Sequence, residues 1–133
     1  MTTPITHGIH HVGLTVSKLD ESVEFFVSVL GWKEVRRDND YPVVFVSDGS
    51  ILLTLWAAQQ EPPVPFNRKS GIGLHHLAFQ VETAAALNDI HERLKQNGTP
   101  IEFPPQLVGP GPAQHTICYE PSGIRVEFFW PGN

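Results

Sequence analysis

A chain of 133 residues with 41% hydrophobic side chains has the size and composition of one small globular domain. Its 9 basic and 14 acidic residues give a formal charge of −5 without a basic run. Neutralising phosphates takes clustered Lys and Arg, so no nucleic-acid partner is expected.

The longest apolar stretches, Val43–Val46 and Ile51–Leu55, are far too short to span a bilayer. The start, MTTPITHGIHH, has no charged-then-apolar signal pattern. A single cysteine, Cys118, allows no internal disulfide. The expectation is a cytoplasmic protein with no membrane partner.

The chain opens with GIHHVGLTV at Gly8–Val16, an alternating stretch that reads as a strand. Ser17 with Asp20 resembles a helix start, and Val23, Phe26, Val27 and Leu30 follow helical spacing to Gly31. Three short extended runs follow, near Lys33–Arg37, Pro42–Ser47 and Ile51–Trp56, with a turn at Asp48-Gly49-Ser50. Residues 57–72, rich in proline, read as a linker.

The pattern then repeats about 65 residues on. GLHHLAFQV at Gly73–Val81 restates the first strand. Thr83 is a helix cap, Ala86, Leu87, Ile90 and Leu94 form an apolar stripe, and Asn97-Gly98 closes the helix. Extended runs near Pro100–Phe103, His115–Glu120 and Ile124–Trp130 complete the second copy. Pro104–Ala113, rich in glycine and proline, reads as a loop suited to a lid. The sequence is thus a duplicated βαβββ module, with module one at about 5–56 and module two at about 73–131 of a single domain.

Alternation assigns the histidines to faces. Val12, Leu14 and Val16 share a face with His10, while Gly13 and Thr15 share the other with His11. In the second copy Leu77, Phe79 and Val81 go with His75, and Ala78 and Gln80 with His76. The apolar face packs on the helix, so His11 and His76 point to the open face, and His10 and His75 are bystanders at a rim. In the last strand Glu127 lies on the face opposite Val126, Phe128 and Trp130. A carboxylate among apolar residues needs an ion pair, for which Arg125 or Lys33 would serve, or a metal. Two imidazoles and one carboxylate form a first shell for a divalent transition metal with open positions.

The words HVGLTV and HLAFQV, each helix with its LGW or NGT end, and PSGIRVEFF resemble the vicinal oxygen chelate superfamily. That superfamily includes glyoxalase I, bleomycin-resistance proteins, methylmalonyl-CoA epimerase, fosfomycin-modifying enzymes and extradiol dioxygenases. The resemblance covers about Ile5 to Pro131. It implies an α+β fold in which two βαβββ modules form a curled eight-stranded mixed sheet around a metal cavity, helices outside. It also implies one divalent metal ion (Fe, Mn, Zn, Ni or Co) on His11, His76 and Glu127, and a homodimer.

The position where glyoxalase I and the epimerase carry a fourth ligand matches Thr54, a poor donor, which leaves three ligands and open sites for a small substrate with adjacent oxygens. The tyrosine that extradiol dioxygenases carry ten residues before the final glutamate is Ile117 here, and the threonine of fosfomycin thiol transferases is Gly13. The chemistry implied is a dioxygenase-like or glyoxalase-like reaction. The alternative is a metal-free binding or resistance protein of the same fold. His115 is the expected acid/base, since imidazole titrates near neutrality. Tyr119, Arg125, Gln80 and Trp56 are the expected substrate contacts.

Overall fold

Each half of the duplicated pattern forms a four-stranded sheet of its own. The computed structural model describes residues 2–133, and these divide into two compact units, one ending at Ala58 and the other beginning at Gln59. Each unit holds one four-stranded mixed sheet and one helical segment, giving an α+β fold. No helix among the described residues is long and apolar enough to cross a membrane.

In the first unit β1 (His11–Val16) is an edge strand, parallel to β4 (Leu52–Ala57); β3 (Val43–Ser47) and β2 (Lys33–Asp38) follow antiparallel in the order β1-β4-β3-β2. Pairing of Leu14 with Leu55 and of Val12 with Leu53 puts the apolar residues on one face. Leu14, Val16, Leu53 and Leu55 are buried there.

The covering helix departs from regular spacing. An α-helical turn, α1 (Leu19–Glu24), passes into a π-helical turn over Phe25–Val29, where the Leu30 amide donates to the Phe25 carbonyl. The wider turn shifts the inward face by one residue. Phe25, Phe26 and Val29 are therefore buried, and Val27 and Leu30, expected inside from a 3.6-residue period, are only half-buried. The Ser17 start is also corrected. The cap position is Lys18, and no side chain caps the helix.

The second unit repeats the plan with β5 (Leu77–Gln80), α2 (Ala84–Gln96), β6 (Ile101–Leu107), β7 (Gln114–Tyr119) and β8 (Arg125–Trp130), sheet order β5-β8-β7-β6. Thr83 caps α2 as expected, its hydroxyl accepting from the Ala86 amide at 3.0 Å. Leu87 and Leu94 of that helix are fully buried, as are Val126 and Cys118 of the sheet.

β6 runs farther than the prolines suggested. Pro104 and Pro105 lie inside it, at a register shift between Phe103 and Gln106. Proline is tolerated there because β6 is an edge strand and the shifted stretch needs no ladder donor. The expected lid therefore shrinks to the turn around Val108–Ala113, and its first four residues are strand.

Candidate functional site

The second sheet builds a polar cluster on the face away from α2. Glu127 sits between Ala78 of β5 and Ile117 of β7, Tyr119 faces Arg125, and His115 faces Phe129. Strand alternation therefore points Glu127, Arg125, His115 and Tyr119 one way. The turn that launches β8 is fixed by buried Glu120, whose Oε1 accepts from the amides of Ser122 and Ile124 at 2.7 and 3.1 Å.

Glu127 is buried and held by two imidazoles. Its Oε1 lies 3.2 Å from His76 Nε2, and its Oε2 lies 2.5 Å from His115 Nδ1. The latter is a hydrogen bond in which Nδ1–H donates to the carboxylate, which leaves Nε2 as the acceptor nitrogen of His115. The His115 ring is walled by Phe103 and Phe129, with centroids at 4.8 and 6.1 Å. The simple ion pair considered from sequence, Glu127 with Arg125 or Lys33, is replaced by these two imidazoles.

His76 lies one residue before β5 begins, and its partner is His75. The two Nδ1 atoms are 2.8 Å apart, and Arg125 Nη1 lies 3.4 Å from His75 Nδ1. A guanidinium only donates, so His75 Nδ1 accepts. His76 Nδ1 must then carry the proton it shares with His75. The surroundings favour the same assignment: desolvation first, then Arg125, lowers the pKa of His75.

With Nδ1 engaged by His75, His76 turns Nε2 toward the Glu127 carboxylate. Two acceptors at 3.2 Å repel each other unless a cation, a proton or a metal, lies between them. Two donors each about 2.1 Å from one metal and separated by about 100° lie about 3.2 Å apart. The donor chemistry therefore fits a divalent cation at His76 and Glu127. Among the described residues no group of three His, Cys, Asp or Glu side chains is arranged as a complete metal shell.

Beside this pair lies a second network. Glu102 of β6 accepts from Arg125 Nε and Nη2 at 2.9 and 2.8 Å, a bidentate pair, and from the Tyr119 hydroxyl. The Glu102 carboxyl is pulled from the usual range to about 2, first by the Arg125 hydrogen bond. Arg68 reaches the same point from the loop before β5, donating to Tyr119 at 3.2 Å.

Sequence reasoning missed Arg68, Glu102 and the role of His75. Glu102 was hidden by its neighbouring prolines, and Arg68 carried no local signal. Gln80 shares the face, one pairing step beyond Glu127 at Phe129, and joins neither network.

The first unit repeats the histidine arrangement. His11 opens β1, and its Nδ1 lies 3.0 Å from His10 Nδ1. In both units, then, the residue read as a bystander contacts the ring of its neighbour. Thr54 is buried, accepts from Trp56 Nε1 at 2.9 Å, and faces Gly13 across the ladder. A side chain at Gly13 would meet Thr54 Oγ1 at 3.2 Å, so the glycine makes room for the threonine. The Trp56 ring packs edge-on against Tyr41 and so has a local partner.

A family model described as the Glyoxalase/Bleomycin resistance protein/Dioxygenase superfamily matches residues 8–128. The protein YqjT of Bacillus subtilis (strain 168) is 29% identical over 129 residues, 92% of this chain and 98% of that one. Catechol-2,3-dioxygenase of the same organism is 33% identical over 98 residues, which span 71% of this chain and 33% of that protein. The crystal structure of a glyoxylase/bleomycin resistance protein/dioxygenase domain from Frankia sp. EAN1pec superposes with a TM-score of 0.82 at 28% identity, covering 95% of this chain and 93% of that one.

Proposed function

Because the chain belongs to the Glyoxalase/Bleomycin resistance protein/Dioxygenase superfamily, we propose that it is a metal-dependent enzyme acting on a small substrate with adjacent oxygens. The observation that carries this reading is the 3.2 Å separation of His76 Nε2 and Glu127 Oε1, a spacing that suits two ligands of one metal ion. His76 and Glu127 are the proposed ligands within the second unit. His11 is proposed as a third, because His10 holds its Nδ1 as His75 holds that of His76. A divalent cation bound there supplies Lewis acidity for substrate oxygens.

The remaining chemistry falls to the chain's own groups. His115 fixes the Glu127 carboxylate through Nδ1 and presents Nε2 as a proton acceptor. Phe103 and Phe129 limit water around that ring. Thr54 is engaged by Trp56 rather than offered as a donor, which supports a three-ligand site and the dioxygenase-like branch. The likeness to a catechol-2,3-dioxygenase points the same way. A homodimer in the cytoplasm accompanies this reading by family analogy, and sedimentation at micromolar concentration checks the dimer.

The test is elemental analysis of protein prepared without tag or chelator, beside His76→Ala and Glu127→Gln. Near-stoichiometric metal that both variants lose supports the proposal, and iron or manganese directs the assay to oxygen uptake with catechols. No metal in the wild type, even after reconstitution, overturns it and leaves a metal-free binding protein.

A further inference from the structure

Five of the charged residues in the second unit are cations: Arg68, Lys69, Arg93, Lys95 and Arg125. Arg93 and Lys95 pair with Asp89 and Glu92 along α2. The two remaining arginines come from far apart in the sequence and converge on one carboxylate. Arg125 is bound bidentately by Glu102, and Arg68 Nη2 lies 3.6 Å from the same carboxylate. Guanidinium charge is permanent, so two positive charges meet one negative charge here, in a chain whose own balance is −5.

The way Arg68 is presented is itself built. Asn67 closes a turn, its carbonyl accepting from the Ser70 and Gly71 amides at 3.2 and 2.7 Å and its Oδ1 accepting from the Lys69 amide at 2.9 Å. The Phe66 ring lies against Gly71 and Gly73, where an added Cβ would come within 3.1 and 2.8 Å of it. The glycines make room for the ring beside the loop, and from this loop Arg68 reaches Tyr119, 51 positions away. At 3.6 Å its ion pair with Glu102 is too long for a hydrogen bond, so that edge of the planar fork keeps donors to offer. A preorganised guanidinium with such an edge suits a carboxylate, which it can bind through two parallel hydrogen bonds.

We propose that Arg68, with Arg125 and Tyr119 behind it, is a subsite for a carboxylate carried by the substrate, and that Glu102 is the resident counter-ion that holds the arginines in place. The inference extends the site proposed above and shares its sheet face, yet it needs no metal. It narrows the substrate class to small molecules with a carboxylate in addition to the adjacent oxygens.

The test uses full-length, chelator-treated protein labelled with 15N, titrated with benzoate and, separately, with the neutral benzyl alcohol. The arginine Nε–Hε signals are assigned by Arg68→Gln and Arg125→Gln. Benzoate is expected to shift the Arg68 signal, and benzyl alcohol to leave it in place. Benzoate affinity is expected to drop at least about tenfold in Arg68→Gln and to weaken with added salt. Arg68→Lys, which keeps the charge and loses the fork, is expected to fall between. Superposable amide spectra outside residues 66–73 verify that the variants fold. Equal response to both probes, no response to benzoate, or unchanged affinity in Arg68→Gln overturns the proposal. Metal uptake by the same wild-type preparation is read separately, so loss of the subsite and loss of the metal reading have different signatures.

Discussion

His75 Nδ1 lies 2.8 Å from His76 Nδ1, and Arg125 stands 3.4 Å beyond it. The guanidinium makes His75 an acceptor, His75 makes His76 Nδ1 a donor, and His76 turns Nε2 toward Glu127. Such outer partners of a ligating histidine typically govern affinity by about 10–100-fold. His75→Phe keeps the ring volume and removes the acceptor. It is expected to weaken divalent-metal binding by about that factor, read by competition with a chromogenic chelator, while the folded amide spectrum persists. Unchanged affinity would show that Nδ1 of His76 needs no partner.

The Glu102 network has a pH signature. Its carboxyl is depressed to about 2 by Arg125 and Tyr119, so the folded state binds this proton less readily than the unfolded chain does. The sign follows: the contribution to stability is complete above the ordinary carboxylate value of about 4.3 and is lost as pH falls toward 2. A 13C titration of the Glu102 carboxyl is expected to show a midpoint near 2. In Arg125→Gln that midpoint should move up toward about 4.

Cys118 is fully buried, and burial with the neighbouring Glu120 charge pushes its thiol up to about 12. The nucleophile in thiol chemistry is the thiolate. At pH 8 the native protein is expected to resist an aromatic disulfide reagent for hours and to react with one equivalent once denatured. Fast reaction under native conditions would contradict the burial.

Two substitutions in the second helix should separate packing from capping. Leu87 is 0% exposed, so Leu87→Ala is expected to cost about 2–5 kcal/mol through lost transfer energy and a residual cavity. Thr83 accepts a single amide hydrogen bond, so Thr83→Ala is expected to cost about 1 kcal/mol. Urea unfolding at constant m-value checks both.

The duplication, a strand beginning at or just after each histidine pair, the Thr83 cap, and the shared faces of His115 with Tyr119 and of Arg125 with Glu127 were all legible in the amino-acid sequence. They depend on periods of two and 3.6 residues and on cap chemistry, which act over a few positions and leave a local trace. The π-helical turn at Phe25–Val29 left no such trace, and neither did the strand through Pro104 and Pro105.

Only the tertiary structure decided which partners those side chains hold. Arg68 meets Tyr119 across 51 positions and Arg125 meets Glu102 across 23. The first depends on the course of the loop before β5, the second on a particular register of β6 on β7, shifted at two points. Register and loop closure are set by the summed packing of the whole sheet rather than by the residues concerned. The paired histidines show the division most clearly. Alternation assigned His75 and His76 to opposite faces, but their position just ahead of the first strand residue, Leu77, frees both rings from that rule and lets their nitrogens meet.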